Sequence, residues 1–193
     1  MKQILRVIRR PLVWLFISLI YALGCLCYDK KYLVGRHFDR WHFTQGWRWI
    51  LYYWFGQKVL GKNGHVPWPV PPYASVIGPE NIIFDPDDMH IFHIPACYFL
   101  GLGGKVVIGK SPQIAVGCGF VAANHDFKDI SKLVPGEEVV LGEKCWIAMN
   151  AVILPGVHLG PHTIVGAGSV VTKSFPEGNC VIAGNPARKI KDL

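Results

Sequence analysis

Length, composition and charge limit the architecture before any motif is considered. The chain has 193 residues and a net charge of +7, enough for one domain of ordinary size and an appendage. Residues 1–62 hold 11 Lys and Arg against two acidic residues, whereas residues 63–193 hold nine against 11. The net positive charge therefore lies in residues 1–62. We expect no nucleic-acid partner.

The first apolar segment runs from Leu12 to Tyr28, 17 uncharged residues preceded by four basic residues and by Pro11, a residue that can start a helix. As a helix it reaches about 25 Å, short of a hydrocarbon core of roughly 30 Å. A secretion signal is the rival interpretation. Basic residues flank both ends, so the positive-inside rule selects no orientation, and a re-entrant or in-plane segment is favoured.

The second segment, from Trp41 to Leu60, places apolar residues at helical spacing and predicts an interfacial helix: Trp47, Ile50, Leu51 and Trp54, followed by Lys58. Basic and Trp-rich composition together favour an anionic membrane surface for residues 1–60. The alternative is a helical cap or a trimer-forming layer. The proline-rich stretch from Val66 to Pro72 should be extended, which sets the domain boundary at residues 1–70 and 71–193.

The remaining chain is dominated by a six-residue period. Ten units each begin with an apolar residue: Leu102, Ile108, Ile114, Phe120, Leu141, Ile147, Ile153, Leu159, Val165 and Val171. In the later block the fifth position is small or compact at Cys145, Ala151, Val157, Thr163 and Ser169. Neither a helix nor a flat strand has this period, so it predicts a parallel β-solenoid with three units per coil and the first and fifth residues inside.

One interruption divides the two blocks of repeats. Residues 126–140 number 15, which is not a multiple of six, so we expect this stretch to leave the coil as a loop. It follows Asn124 and His125, and a histidine beside such an excursion is a candidate site.

These features together resemble one family. They are the repeats, the run from Ala122 to Asp126, the run from Cys145 to Ala148 leading into Ile153–Val157, and the closing run from Gly184 to Arg188. The chain resembles the hexapeptide-repeat acyltransferases, in particular the maltose, galactoside and polysaccharide O-acetyltransferase group. The resemblance covers about residues 73–191. It implies a left-handed parallel β-helix, a homotrimer and acetyl-CoA as co-substrate.

The resemblance directs the chemistry to His125. A sugar hydroxyl is a poor nucleophile until its proton is removed, and imidazole suits that role at neutral pH. We therefore expect His125 to be the general base. Asn124 could orient the imidazole ring or bind the acceptor, with a structural role as the alternative. Asp126 could fix the imidazole tautomer, with formation of a turn as the alternative. A covalent cysteine route is disfavoured because Cys118 and Cys145 should point inward.

The donor site is expected along the later coils. Small residues there let a pantetheine chain approach the backbone: Ala148, Gly166, Ala167 and Gly168. The resemblance adds residues that match the CoA-lining positions of the galactoside acetyltransferase group: Met149, Ala167, Thr172, Lys173, Arg188 and Lys191. Trp146, beside Ala148, is included in the predicted site. The three cations could meet phosphate charge.

The acceptor is expected at an irregular section from Phe84 to Phe99. Asp87 and Asp88 could bind sugar hydroxyls and Tyr98 could stack on a sugar ring, with turn formation as the alternative for the aspartates. A metal site is not expected, because His158 and His162 lack a third ligand. All six cysteines are expected to be reduced.

These observations predict an O-acetyltransferase that acts on a sugar hydroxyl of a lipid-linked saccharide at the cytoplasmic face of the bacterial inner membrane. A non-catalytic trimeric scaffold and an N-acetyltransferase acting on an amino sugar remain as alternatives.

Overall fold

The computed structural model describes the backbone of residues 2–193 and the side chains of residues 11–193. The chain forms two compact units, residues 1–72 and residues 73–193.

The first unit is helical. Helix α1 spans Lys2–Cys27 and helix α2 spans Gln45–Trp54, which continues into a π-helical turn at Phe55–Val59. Two short 3-10 turns lie between them, at Lys30–Tyr32 and Arg36–Phe38. Pro11 lies inside α1 and does not start it. Among the described residues, no helix combines the length and hydrophobicity that crossing a bilayer requires.

The two helices pack through one face of each. Ile17 and Ile20 of α1 and Trp47 and Ile50 of α2 are buried. Gly24 lets the helices approach, because a Cβ there would lie 2.7 Å from Cδ1 of Ile50. The second segment was predicted to place Trp47 and Ile50 on an interfacial face. That part of the prediction is wrong, because both side chains are buried in the core of the unit.

The segment after α2 is held by one buried side chain. Nε2 of Gln57 donates to the carbonyl oxygens of Val66 and Trp68, at 3.1 and 3.0 Å, and its Oε1 accepts from the amide of Val70 at 3.2 Å. A proline-rich segment has few amides of its own to pair, so this carboxamide supplies the hydrogen bonds that a sheet would otherwise give.

The second unit is a prism of three sheets wound from short strands. Sheet A contains β1 (Ser75–Ile77), β3 (Tyr98–Leu100), β6 (Gly119–Val121), β9 (Val152–Ile153) and β12 (Val170–Val171). Sheet B contains β2 (Ile82–Ile83), β4 (Val106–Ile108), β7 (Val139–Leu141) and β10 (His158–Leu159). Sheet C contains β5 (Gln113–Ile114), β8 (Trp146–Ile147), β11 (Ile164–Val165), β13 (Cys180–Gly184) and β14 (Ala187–Asp192).

The six-residue period matches this winding because each repeat supplies one strand and one corner. The chain visits sheets A, B and C in turn, and strands of successive coils pair in parallel. The leading residues of the later block and the small fifth-position residues are all buried. The prediction of a parallel β-solenoid is therefore confirmed. Its left-handedness stays a prediction.

Leu102 departs from the predicted register. It is 41% exposed and lies in the turn between β3 and β4. The inward residue of β3 is instead Phe99, nine positions before Ile108, so three additional residues form a wider corner there. Gly103, with φ of 80°, is in that corner.

The predicted loop leaves the coil after β6 and returns at β7. Because β7 begins at Val139, the last two residues of the expected 126–140 excursion already belong to sheet B. Their aliphatic side chains explain the difference, since Val139 is buried and pairs with Val106 of the preceding coil.

The coils end in a feature that the repeats do not predict. Strand β14 reverses and pairs antiparallel with β13, with Ala183 opposite Arg188 and Gly184 opposite Ala187.

Candidate active site

His125 lies at the corner where sheet A leads to sheet B, which we call the A–B corner. It is exposed, and its backbone forms an isolated antiparallel bridge with Leu133 across the base of the loop. Thr172 and Lys173 follow β12 at the same corner and are also exposed. Since β6, β9 and β12 are neighbours in sheet A, the two segments leave the sheet about 10 Å apart along the prism axis.

The residues beside His125 shape the loop. The carbonyl oxygen of Asn124 accepts from the amide of Val134 at 3.1 Å, and its side chain is exposed. Oδ1 of Asp126 accepts from the amides of Lys128 and Asp129, at 2.7 and 3.2 Å. Of the two roles considered for Asp126, the structure thus shows turn formation, and the imidazole of His125 is left open to solvent.

The tip of the loop carries an apolar surface that the sequence analysis missed. Phe127 is 98% exposed, and Ile130 is exposed as well. Leu133, at the base of the loop, is also exposed. The signal was present, because Phe127, Ile130 and Leu133 recur at every third position, between pairs of polar residues, in a segment that cannot belong to the coil. Exposed apolar side chains of this kind are typical of interaction sites.

Most of the predicted donor residues lie at a different corner, where sheet C leads back to sheet A, which we call the C–A corner. Ala148 and Met149 follow β8, Gly166 and Ala167 follow β11, and Arg188 on β14 is paired with Ala183. The corner is tightly stacked: the amide of Ala148 donates to Val165 and that of Gly166 to Ile182. A Cβ on Gly166 would lie 2.8 Å from Cβ of Ala183, so a larger residue would not fit.

The outer face of sheet C completes this group. Trp146 is half exposed on β8, and Lys191 on β14 is exposed opposite Val181. Within one chain the predicted donor residues therefore divide between two corners, with Thr172 and Lys173 near His125 and the others across sheet A. One copy of the chain does not bring the whole predicted set together.

The predicted acceptor residues have different surroundings. Asp88 is 4% exposed, and its Oδ2 accepts from the amide of Ser111 at 2.7 Å, so it holds a turn and is not available to a sugar. The prediction for Asp88 is wrong because the 3-10 helix Pro86–His93 turns this carboxylate inward. Asp87 is half-buried, and Tyr98 is exposed on the outer face of sheet A. Both stay predictions.

Cys118 and Cys145 are unsuited to nucleophilic catalysis. Cys118 and Cys145 are buried, and their thiols donate to the carbonyl oxygens of Ala148 and Gly160, at 3.2 and 3.3 Å. Burial raises the pKa of the Cys145 thiol, and a hydrogen bond that the Cys118 thiol donates to Cys97, together with burial, raises the pKa of Cys118. A thiolate is therefore disfavoured at both positions. All six cysteines are free.

Metal ligands do not cluster in the described part of the chain. Among those residues, no three His, Cys, Asp or Glu side chains are close enough to hold an ion.

Comparisons with known proteins agree with this geometry. Residues 138–173 match the family model described as bacterial transferase hexapeptide, six repeats. The chain is 32% identical over 149 residues, 76% of this chain and 75% of the relative, to the Escherichia coli protein assigned as the colanic acid biosynthesis acetyltransferase WcaF. It is 31% identical to the galactoside O-acetyltransferase of the same organism, over 71% of this chain and 66% of that one.

Among solved structures, the chain is similar to a maltose O-acetyltransferase from Clostridium difficile, with 37% identity and a TM-score of 0.47. That match covers 50% of this chain and spans about half, 52%, of the other. A galactoside acetyltransferase in complex with coenzyme A matches with 28% identity and a TM-score of 0.46, over 62% of each chain. The family model and the relatives, taken with the wound sheets, show that this chain belongs to the hexapeptide-repeat acyltransferase family.

Proposed function

We propose that the chain transfers the acetyl group of acetyl-CoA to a hydroxyl of a saccharide, with His125 as the general base. The observation that carries this proposal is the exposed imidazole at the A–B corner, where the coil opens into the loop. The imidazole takes the hydroxyl proton as the oxygen attacks the thioester carbon, and the proton then passes to the departing CoA sulfur. A backbone amide of a neighbouring coil is the expected donor to the oxyanion.

The donor binds along the C–A corner and the adjoining faces. The narrow pantetheine chain passes Ala148, Gly166 and Ala167, where small side chains leave the backbone accessible, and it contacts Trp146 and Met149 beside them. Phosphate groups meet Lys173, Arg188 and Lys191, and Thr172 supplies a hydroxyl. The named relatives support this assignment, since they are acetyltransferases and one solved relative contains coenzyme A.

The active unit is a homotrimer of left-handed coils. The division of the predicted residues between two corners supports it, because a neighbouring copy that sets its C–A corner against this A–B corner completes the site. The exposed loop tip with Phe127 supports it as well, since a second copy would cover this apolar surface.

The acceptor is a lipid-linked saccharide at the cytoplasmic face of the bacterial inner membrane. The basic and aromatic composition of residues 1–60 supports attachment to an anionic surface. Attachment would concentrate a lipid-linked acceptor near the site, and Asn124, Asp87 and Tyr98 are the residues proposed to bind its sugar. A similar protein is assigned to colanic acid biosynthesis, which fits a polysaccharide precursor.

Replacement of one imidazole tests the proposal. His125→Ala should lower kcat by about 10²- to 10⁴-fold while acetyl-CoA binding and trimer mass persist. The matched control is His158→Ala, an exposed histidine on β10, which should retain full activity. A non-catalytic scaffold predicts that neither replacement changes acetyl transfer, and that result would refute the proposal.

The product distinguishes the two kinds of acyl acceptor. The mass of glycolipids treated with the protein and acetyl-CoA should increase by one acetyl group. Mild base should remove it, because an ester hydrolyses where an amide survives. A base-stable product would contradict oxygen as the acceptor atom.

A further inference from the structure

We infer that the N-terminal unit binds an anionic bilayer surface through one exposed stripe of α1, with the helix lying in the plane of the interface. This inference rests on the proposed membrane attachment and names the surface responsible for it. The partner is a lipid surface that carries negatively charged headgroups.

The stripe consists of four leucines on one side of α1. Leu12, Leu15, Leu19 and Leu26 are 62%, 53%, 63% and 86% exposed. Their separations of three, four and seven residues place them on one line along the helix. The opposite side is already used, because Ile17, Ile20 and Gly24 pack in the core of the unit.

An exposed stripe of this kind is unfavourable in water. A helix on the surface of a soluble unit normally turns its apolar side inward and its polar side outward. α1 is apolar on both sides, so the packed unit still presents aliphatic surface that only a further partner can cover. A one-sided stripe on a packed unit suits an in-plane helix, whose outer face enters the boundary between headgroups and acyl chains.

Two arginines lie close to aromatic rings on or beside α1. The guanidinium of Arg40 is 3.8 Å from the ring centroid of Tyr21 on α1. Arg48 lies 5.7 Å from the ring of Phe43, which packs against Phe16 of α1 at 5.6 Å. Phe16 is four residues after Leu12 and three before Leu19, so it lies beside the stripe, whereas Tyr21 lies on the far side of α1, beyond the buried face.

The adjoining segment has the composition of a membrane boundary. Trp41, next to Arg40, is 74% exposed, and an amphipathic ring of this kind is typical of the headgroup level. Residues 1–62 contain only two acidic residues to offset 11 basic ones.

Charge decides between the possible partners of the stripe. A second copy packed on the stripe would bring two such basic units together, and like charges at close range oppose association. Anionic headgroups attract the same cations while the acyl region accepts the leucines. The aliphatic stripe and the net positive charge of residues 1–62 therefore favour a single partner, an anionic bilayer.

The test is flotation of the full-length protein with lipid vesicles. One set contains phosphatidylcholine alone, and the other contains phosphatidylcholine with phosphatidylglycerol. The stripe variant is Leu15→Ser/Leu19→Ser, and the matched control is Val34→Ser/Leu102→Ser, which changes two comparably exposed aliphatic residues outside the stripe. A third variant, Arg40→Gln/Arg48→Gln, removes two cations of the N-terminal unit.

The unaltered protein should float with anionic vesicles and bind the neutral ones more weakly. The stripe variant should lose about tenfold or more in partitioning, whereas the control should bind as before. The arginine variant should lose the part of the binding that is sensitive to salt. Trimer mass and acetyl transfer to a soluble saccharide, measured on each variant, show that the fold is retained.

Two results would overturn the inference: flotation of the stripe variant equal to that of the unaltered protein, or a change in its oligomeric mass with vesicle binding intact. The second would identify another copy as the partner. Failure of the proposed enzyme function is a separate outcome, because a protein that floats but transfers no acetyl group to any saccharide refutes the function and leaves the docking surface standing.

Discussion

Phe120 and Ile153 are register partners on neighbouring strands of sheet A although 33 positions separate them, whereas 18 separate Ile153 from its own partner, Val171. The same interval of 33 joins Ile108 to Leu141 in sheet B and Ile114 to Ile147 in sheet C. In each of the three sheets the interval thus exceeds one coil of 18 residues by the 15 residues of the loop. The loop leaves the prism and returns without altering the coil, so its tip can change without cost to the fold.

Phe127 at that tip provides a prediction about assembly. Phe127→Ser should leave the free energy of unfolding of a single chain nearly unchanged, because the ring has no packing there to lose. If the tip docks on another copy, the variant should weaken the trimer, which sedimentation equilibrium would detect as dissociation at higher protein concentration. Lys128→Ser, at the next position, is the control. Unchanged association of the Phe127 variant would contradict the proposed role.

Asp88 should prove structural. Asp88→Ala removes the acceptor for the amide of Ser111 and should lower the free energy of unfolding by about 1–3 kcal/mol. Asp88→Asn keeps an acceptor oxygen and should lose less. Chemical denaturation checks the order, and KM for saccharide should stay constant in both variants. An increase in that KM without loss of stability would restore Asp88 to the acceptor site.

Lys173 tests the donor site. Lys173→Met should raise KM for acetyl-CoA about tenfold and leave KM for saccharide unchanged, because it removes one charge-assisted contact with phosphate. Lys144→Met, at the corner between sheets B and C, is the matched control and should behave as the unaltered enzyme. Equal KM values for both variants would show that Lys173 is an ordinary surface residue.

The buried thiol of Cys145 predicts a dependence of stability on pH. Burial raises its pKa in the folded state, whereas the pKa of a thiol in the unfolded chain is about 8.5. The unfolded chain therefore releases this proton first as pH rises, and stability falls above the unfolded pKa until the folded pKa is reached.

Chemical denaturation at a series of alkaline pH values measures this effect. In the window above the unfolded pKa, Cys145 contributes a slope of up to about 1.4 kcal/mol per pH unit. Cys145→Ala should have a shallower slope than the unaltered protein. An identical slope would show that other groups determine the alkaline sensitivity.

The sequence predicted the coil well because its period is a direct consequence of geometry. Residues such as Ile147 and Val165 must recur every six positions to face a narrow interior, and the structure places them there. The prediction for Leu102 was wrong because an aliphatic residue also fits a wide corner. The three additional residues of that corner do not differ in composition from the repeats around them. The structural role of Asp88 could not be predicted either, because the sequence does not distinguish a carboxylate that accepts from a turn amide from one that binds a sugar.

The sequence identified candidate residues of the site, but it did not predict how they are arranged in space. His125 stood out because a histidine preceded a break in the period. Which corner each donor residue occupies depends on counting strands, and the corner at Thr172 and Lys173 differs from that at Ala148 and Met149. In the N-terminal unit, helical spacing identified Trp47 and Ile50 but could not say whether their shared face meets protein or lipid, because both environments select the same residues.

Strand β14 has a consequence for how the molecules behave in crowded solution. A wound prism ends in open ladders, and an unprotected ladder is a template on which further chains can add to form fibres. By folding back along β13, β14 occupies the last ladder of sheet C and replaces it with a border that carries Arg188, Lys189 and Lys191. Clustered like charges on that border repel a second end of the same kind, which discourages end-to-end growth along sheet C.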